Sequence, residues 1–196
     1  MVEATLNYLA PMDEKPVYYQ YPPPPGTPWR NTRGDRRTLP IHDARRTEPA
    51  PSLDSEGFEL VSLQTEVQDL YAADAVRTSY YGEVERLVRE HTGATRVLAF
   101  DHNVRSEELH RRNERGAQGP VLFAHNDYTE TSSPQRVRDL LPTDEADALL
   151  AHRFAVINVW KPIRGPVQKS PLAVCDARTL GPVSYTHLTL PTILLV

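Results

Sequence analysis

Within Val121-Leu122-Phe123-Ala124-His125-Asn126-Asp127-Tyr128-Thr129 an apolar run leads into a His-x-Asp pair. If the run is a β-strand, side chains two residues apart leave the same face of a sheet, so His125 and Asp127 point together into whatever the strand encloses. One imidazole and one carboxylate side by side form two legs of the two-His-one-carboxylate facial triad. That triad holds Fe(II) on one face and leaves the other positions for a co-substrate and oxygen. The same pair in an ordinary sheet can equally be a surface hydrogen bond, and the spacing by itself does not choose between the two.

The elements that must position the pair are set by periodicity. From about Gln64 to His91, the residues Val67, Leu70, Tyr71, Val84, Leu87 and Val88 recur at spacings of three and four, as on the buried face of a helix. Gly82 is expected to break this stretch into two helices and Gly93 to end the second. Arg96 to Phe100 reads as a buried strand, with Asp101, His102 and Arg105 at its end. There the Arg105 guanidinium could grip a carboxylate with two parallel hydrogen bonds, or the charges could form a salt-bridged corner. Residues 106 to 119 are polar, with Gly116 and Gly119 near the end, and are expected to form a mobile loop of the kind that serves as a lid.

After the His-x-Asp run, Ser133 followed by Pro134 is a helix start, with Val137, Leu140 and Leu141 as the apolar side. Thr143 can cap a second helix through about Leu150, with Asp144 and Glu145 at its positive end. Phe154 to Trp160, rich in Val, Ile and aromatic residues and stopped by Pro162, is the most strand-like run of the chain. Alternation places Val156, Asn158 and Trp160 on one face. A buried Asn158 amide must be hydrogen-bonded, so it either braces the core or touches a ligand in a cavity. Leu172 to Val174 reads as a short strand, and Cys175 as a buried core thiol.

Composition sets the outer bounds. A chain of 196 residues with 39% hydrophobic residues is long enough for one domain with a real core. A net charge of -4 and a pI near 6.0 give no general electrostatic reason to bind nucleic acid or a membrane surface. No run has the apolar length of a transmembrane helix, and no basic-then-apolar leader opens the chain, so a cytoplasmic protein is expected. The single cysteine excludes an intrachain disulfide and a multi-cysteine zinc site. There is no Gly-rich phosphate loop, no Gly-x-Ser-x-Gly elbow and no HExxH. Residues 1 to 50 carry nine of the 18 prolines, including Pro22 to Pro25, and are expected to form an extended or polyproline II arm. Tyr8, Tyr18, Tyr19, Tyr21 and Trp29 could lay that arm on a domain surface, or the prolines could present a recognition ligand. Arg30, Arg33, Arg36 and Arg37, interleaved with Asp35, read as a solvated loop able to meet an anionic group.

Six segments occur in the order Leu53-Asp54-Ser55-Glu56-Gly57-Phe58, Tyr80-Tyr81-Gly82-Glu83, Val97 to Arg105, His125 to Thr129, Ile157 to Ile163 and Pro171 to Arg178. Together they resemble a microbial family of hydroxylases and desaturases, often named after the small chain of cephalosporin methoxylase, that includes iron and 2-oxoglutarate dependent oxygenases of secondary metabolism. The resemblance runs from about Asn7 to Thr179. It implies an α+β chain built on a double-stranded β-helix, a jelly-roll or cupin-like barrel with flanking helices and a metal at its mouth. It also implies Fe(II) and 2-oxoglutarate as cofactors, His125 and Asp127 as metal ligands, and Arg105, Tyr128, Asn158 and Trp160 as walls of a substrate or co-substrate pocket. The reaction implied is hydroxylation or desaturation of a small molecule. Lys161 stands where relatives often carry arginine, which keeps the charge but loses the bidentate fork.

Members of that family continue well past the Pro171 to Arg178 block, and the continuation carries a second metal-binding histidine and a basic residue for the far carboxylate of 2-oxoglutarate. Here Gly181 to Val196 instead resembles translated sequencing-adapter sequence. That stretch is therefore expected to be foreign, and His187 is set aside as a ligand. The organisation expected is a Pro-rich arm over 1–50, a partial oxygenase-like domain over 51–180 and a non-native tail over 181–196. An incomplete barrel implies exposed sheet edges, low stability and a loosely held metal. The alternative is a non-catalytic accessory or binding protein of a biosynthetic complex, working with a partner chain.

Overall fold

A computed structural model describes residues 1–14, 16, 17, 19, 21–180 and the backbone of 192–195. The chain divides into two compact units, Met1–Asp43 with Val121–His125, and Ala44–Pro120 with Asn126–Val196.

In the first unit, β1 (Val2–Leu9) and β2 (Gly34–Ile41) pair antiparallel, from Val2 opposite Ile41 to Leu9 opposite Gly34. Val2, Ala4, Leu6 and Tyr8 alternate with Glu3, Thr5 and Asn7, the period of a strand. The Thr5 and Thr38 hydroxyls meet across the ladder at 3.1 Å. Pairing continues irregularly beyond the strands: Ala10 N–H donates to Arg33 O at 2.9 Å, Asn31 to Val17 at 3.3 Å and Tyr19 to Trp29 at 3.0 Å. At the tip, Thr27 N–H closes a turn on Pro24 O at 3.0 Å, and Gly26 supplies its positive φ of 81°. The expected extended arm is thus largely a paired ribbon, with the proline run at the tip, where missing N–H groups break no ladder. Tyr21 and Trp29 are 80% and 54% exposed, so these aromatics do not pack as expected. Tyr18 lies outside the described residues.

In the second unit, α1 (Ala73–Ala75) passes through a π-helical turn (Val76–Tyr80) into α2 (Tyr81–Thr92) without a break. Gly82 does not separate two helices. Glycine costs only about 1 kcal/mol in a helix interior, less than the burial of the face that Val84, Leu87 and Val88 form. Leu87 and Val88 join Val61 in the core, and Leu53, Leu63, Tyr80, Val84, Val97, Ile157 and Val159 pack against them. Gly93 ends the helix as expected, left-handed at φ 67° with its N–H on Arg89 O. The helix starts later than periodicity suggested. Asp69 draws Tyr71 N–H to its side chain at 3.0 Å and Ala72 N–H to its carbonyl, a local turn that competes with helix.

Arg96 to Phe100 is not a strand. Leu98 and Phe100 are 43% and 36% exposed, and the Ala99 N–H is taken by the Glu85 carboxylate of α2 at 2.8 Å rather than by a neighbouring strand. The later helices are α4 (Ser132–Leu140) and α5 (Thr143–Leu150), with α3 (Glu107–Arg111) in the preceding loop. Thr131 occupies the cap position of α4 and Pro142 that of α5, one or two residues before the expected Ser133 and Thr143. Leu172 to Val174 forms no strand, and of Phe154 to Trp160 only β4 (Asn158–Trp160) does.

β3 (Phe58–Val61) and β4 flank β5 (Thr192–Leu195), both parallel to it, in the order β3-β5-β4. Ladder bonds join main chains, so this pairing does not depend on the side chains of β5. A jelly roll takes about eight strands. The described strands make an antiparallel ribbon and a parallel three-stranded sheet, an α+β arrangement.

Two of the six segments meet at an ion pair between the buried Glu56 and the exposed Arg178. Glu56, 5% exposed, accepts the Ser52 N–H at 2.8 Å and the Ser55 hydroxyl at 3.2 Å, and pairs with Arg178 at 2.7 Å. Arg178 is also gripped by Asp176, with Nη2 at 2.7 Å from Oδ2 and Nε at 3.0 Å from Oδ1. Ala177 N–H donates to Glu56 O at 2.9 Å, and a Cβ on Gly57 would lie 3.2 Å from that of Ala177. The Ser52 N–H foremost, then the Ser55 hydroxyl and the Arg178 charge, hold the Glu56 carboxyl below its ordinary 4.5 against the opposing effect of burial. A carboxyl lowered on folding contributes stability that is complete above its unfolded value and drains away as pH falls through the lower folded value. Glu56→Gln is therefore expected to lower stability at pH 7 and to flatten the acid-side decline below about pH 4.5, measured by urea unfolding across pH. An unchanged acid-side slope would contradict this.

The segment from 106 to 119, expected to be mobile, is closed at its neck. Gln118 N–H donates to Val104 O at 2.8 Å, Ser106 N–H to Gln118 O at 2.9 Å and Arg105 Nη1 to Gly119 O at 3.0 Å. Ser106 caps α3 through Leu109 N–H at 3.3 Å, and Ala117 is buried. Charge-assisted hydrogen bonds contribute about 1.5–3 kcal/mol, less when exposed. Arg105→Ala is expected to speed amide exchange at Ser106 and Gln118 by about tenfold. Unaltered exchange at both amides would show that the guanidinium does not hold the neck.

Candidate metal and substrate site

The expected strand around the His-x-Asp pair is a single parallel bridge, Asn7 with Phe123. Ala124 N–H donates to Asn7 O at 2.8 Å, and the Asn7 side-chain amide donates to Leu122 O at 2.7 Å. The Phe123 ring lies under Arg30, 5.7 Å from guanidinium to centroid, and a Cβ on Gly34 would meet the same ring at 3.5 Å. The ribbon therefore anchors residues 122–124, and regular pairing ends there. The alternation that was to place His125 and Asp127 on one face of a sheet does not extend to them.

His125 follows directly from this anchor. Its Nδ1 lies 2.8 Å from Phe123 O. A carbonyl oxygen only accepts, so Nδ1 carries the proton and Nε2 of the neutral ring carries the lone pair. This is the orientation in which a metal-binding imidazole is usually held.

The unit boundary falls between His125 and Asn126, so Asp127 belongs to the second unit. Asp127 Oδ2 accepts the Asn158 side-chain amide at 3.0 Å, bringing two of the expected site residues together across 31 positions of sequence. The half-buried Tyr128 stacks edge-on against Phe100 with centroids 6.4 Å apart, and its hydroxyl accepts Arg136 Nε at 3.2 Å. The Arg136 guanidinium also lies over the Phe100 ring at 5.7 Å. Trp160 is half-buried in β4 two residues beyond Asn158, on the same face by alternation. Arg105 is exposed and spends one nitrogen on the Gly119 carbonyl, a structural duty beside the carboxylate grip expected of it. Lys161 Nζ donates to Leu63 O at 3.3 Å.

Arg136 was missed because its partners Tyr128 and Phe100 are brought to it by packing, with no spacing signal. A second unforeseen contact joins two of the six segments: the Tyr81 hydroxyl lies 2.9 Å from His102 Nδ1, with the rings edge to face. Burial, then the Asp101 charge, pushes the Tyr81 phenol up. Its neighbour Tyr80 is pushed up to about 12 by burial and by Glu83. Cys175, expected to be a buried thiol, is exposed, because its segment forms no strand to bury it. Among the described residues, no three His, Cys, Asp or Glu side chains gather where they could hold a metal ion. His187 lies outside the described residues.

His125 and Asp127 fit two positions of a metal centre on their donor chemistry, one neutral imidazole nitrogen and one carboxylate. Among the described residues, no helix is long and apolar enough to cross a membrane.

Residues 6–191 match a family model described as an oxidoreductase/YMDC permease-like domain. The chain is 36% identical over 149 residues to Oxidoreductase AN1597 of Emericella nidulans, covering 72% of this chain and 50% of the relative. It is 34% identical to the hydroxylase/desaturase CTB9 of Cercospora beticola, covering 91% and 62% respectively. It is 33% identical to the Fe(II)/2-oxoglutarate-dependent dioxygenase nvfI of Aspergillus novofumigatus, covering 85% and 60%. The solved iron and alpha-ketoglutarate-dependent endoperoxidase NvfI superposes with a TM-score of 0.66 at 26% identity, over 76% of this chain and 55% of that one. The chain spans between 50% and 62% of the length of these curated relatives. On the match of residues 6–191, the chain belongs to the oxidoreductase/YMDC permease-like domain family.

Proposed function

We propose that this chain is part of a non-heme Fe(II)/2-oxoglutarate-dependent oxygenase that hydroxylates or desaturates a small-molecule secondary metabolite. The observation that carries the reading is the His125 imidazole, held by the ribbon with Nδ1 on a carbonyl and its lone pair on Nε2, two residues from a carboxylate. His125 Nε2 and Asp127 are the protein ligands assigned here. The names of the relatives, hydroxylase/desaturase and Fe(II)/2-oxoglutarate-dependent dioxygenase, support the same chemistry. The reading carries with it a cupin-like jelly-roll barrel. It assigns the third ligand and the basic group for the far carboxylate of 2-oxoglutarate to parts of that barrel other than the described residues.

When bound, the iron and its co-substrate supply the power to oxidise an unactivated carbon. The chain's own residues bind and orient. Tyr128, braced by Phe100 and Arg136, keeps its hydroxyl hydrogen to donate to a substrate oxygen, because Arg136 Nε already uses the oxygen as acceptor. Trp160, on the same face of β4 as Asn158, offers an apolar wall. Arg105 remains a candidate for a carboxylate through its other guanidinium nitrogens.

In the intact protein, 2-oxoglutarate is expected to be decarboxylated to succinate and carbon dioxide only with Fe(II) added, and His125→Ala and Asp127→Ala are each expected to fall to background. Scintillation counting of carbon dioxide from labelled co-substrate reads this directly. Full turnover in either variant would refute the ligand assignment. Absence of any Fe(II)-dependent turnover in the unaltered protein would favour an accessory role.

A further inference from the structure

We infer that Arg136, held by Tyr128 and Phe100, is the anchor of a binding site for the carboxylate of a small organic acid with an apolar body. The inference makes no use of a metal.

Three segments of the second unit meet at this arginine. Arg136 lies on α4, Tyr128 precedes that helix and Phe100 follows α2. The guanidinium sits over the Phe100 ring at 5.7 Å, and Nε donates to the Tyr128 hydroxyl at 3.2 Å. Tyr128 in turn meets Phe100 edge-on, with ring centroids 6.4 Å apart. Together these contacts fix the plane of the guanidinium and consume only Nε. Among the described residues, Nη1 and Nη2 donate to nothing.

Both partners are neutral, so the charge is left uncompensated. Arg138, two residues along the same helix, pairs with Asp147 at 3.2 Å, and Arg153 pairs with Asp54 at 2.7 Å. Asp139, three residues beyond Arg136 and on its side of α4, makes no ion pair with it; its Oδ1 accepts Gln135 Nε2 at 2.8 Å. Arg136 is thus a positive charge held in one orientation with no carboxylate of this chain to answer it.

The donors left open define the ligand. Nη1 and Nη2 form the end of a planar fork, which matches the two oxygens of a carboxylate. The Tyr128 hydroxyl, whose oxygen already serves Arg136, keeps its hydrogen as a further donor. One guanidinium balances one carboxylate but not the two charges of a phosphate. Phe100, 36% exposed, offers apolar surface to the body of the acid.

The test is a titration of the metal-free protein with benzoate, followed by the nuclear magnetic resonance signals of the Tyr128 ring. Benzamide, the same shape without the charge, is the control. Exposed charge pairs are weak, so a millimolar Kd is expected for benzoate and no saturation with benzamide. Arg136→Gln, which removes charge and fork, is expected to abolish benzoate binding. Arg136→Lys keeps the charge but loses the fork, and is expected to raise the Kd about tenfold, the worth of one charge-assisted hydrogen bond. The lysine variant decides alone if the glutamine variant loses its thermal transition. Benzoate affinity within twofold of the unaltered value in the folded Arg136 variants, equal binding of benzamide, or no binding of benzoate by the unaltered protein would each overturn the site. Binding of 2-oxoglutarate tenfold tighter than benzoate, and lost in Arg136→Gln, would overturn the apolar acid and give the fork to a dicarboxylate. With no metal present, none of these outcomes depends on the Fe(II)-dependent turnover of the intact protein.

Discussion

An imidazole ligates a metal only through the nitrogen that carries no proton. In this chain that choice is made by the 2.8 Å hydrogen bond between His125 Nδ1 and the Phe123 carbonyl. The carbonyl is in place because Phe123 is bridged to Asn7 of β1 and its ring is packed by Gly34 and Arg30. The ribbon built from the first 43 residues is therefore more than a proline-rich decoration. It grips three residues of a segment more than a hundred positions away and sets the tautomer of the next one. His125 itself is exposed, so the hydrogen bond to Phe123 O, rather than burial, favours one tautomer of its ring.

The second unit treats Asp127 in a parallel manner. A core of Val61, Leu87 and Val88 fixes Val159, β4 thereby fixes Asn158, and Asn158 holds one oxygen of Asp127. The Glu56–Arg178–Asp176 cluster ties residues 52–58 to 176–178 near the start of β3. Here the desolvation of the buried Glu56 carboxylate is offset by several hydrogen bonds to it.

What could be read from the sequence was what is local. The buried face of α2, the Gly93 cap and the helices near 132–140 and 143–150 follow from spacings and caps within a few residues. The chemical identity of the His-x-Asp pair and the order of six motifs were equally plain. Strands were harder, because an apolar run states that a segment wants burial but not whether a partner strand exists. Arg96 to Phe100 gives its Ala99 amide to Glu85, and Val121 to Thr129 pairs at one position only. The ribbon was obscured by prolines that sit at its tip rather than across its ladder. Arg136 on Tyr128, Tyr81 on His102 and Asn158 on Asp127 are contacts made by packing, for which no spacing rule exists.

The central claim, that His125 is presented with Nε2 as its ligating nitrogen, is tested most directly by long-range proton–nitrogen correlation spectroscopy of the histidine rings, with Zn(II) as a diamagnetic titrant. The neutral His125 ring is expected to show the Nδ1–H tautomer, and Zn(II) is expected to shift its Nε2 resonance while Nδ1 stays protonated. An Nε2–H tautomer, or a His125 ring indifferent to Zn(II), would contradict the account.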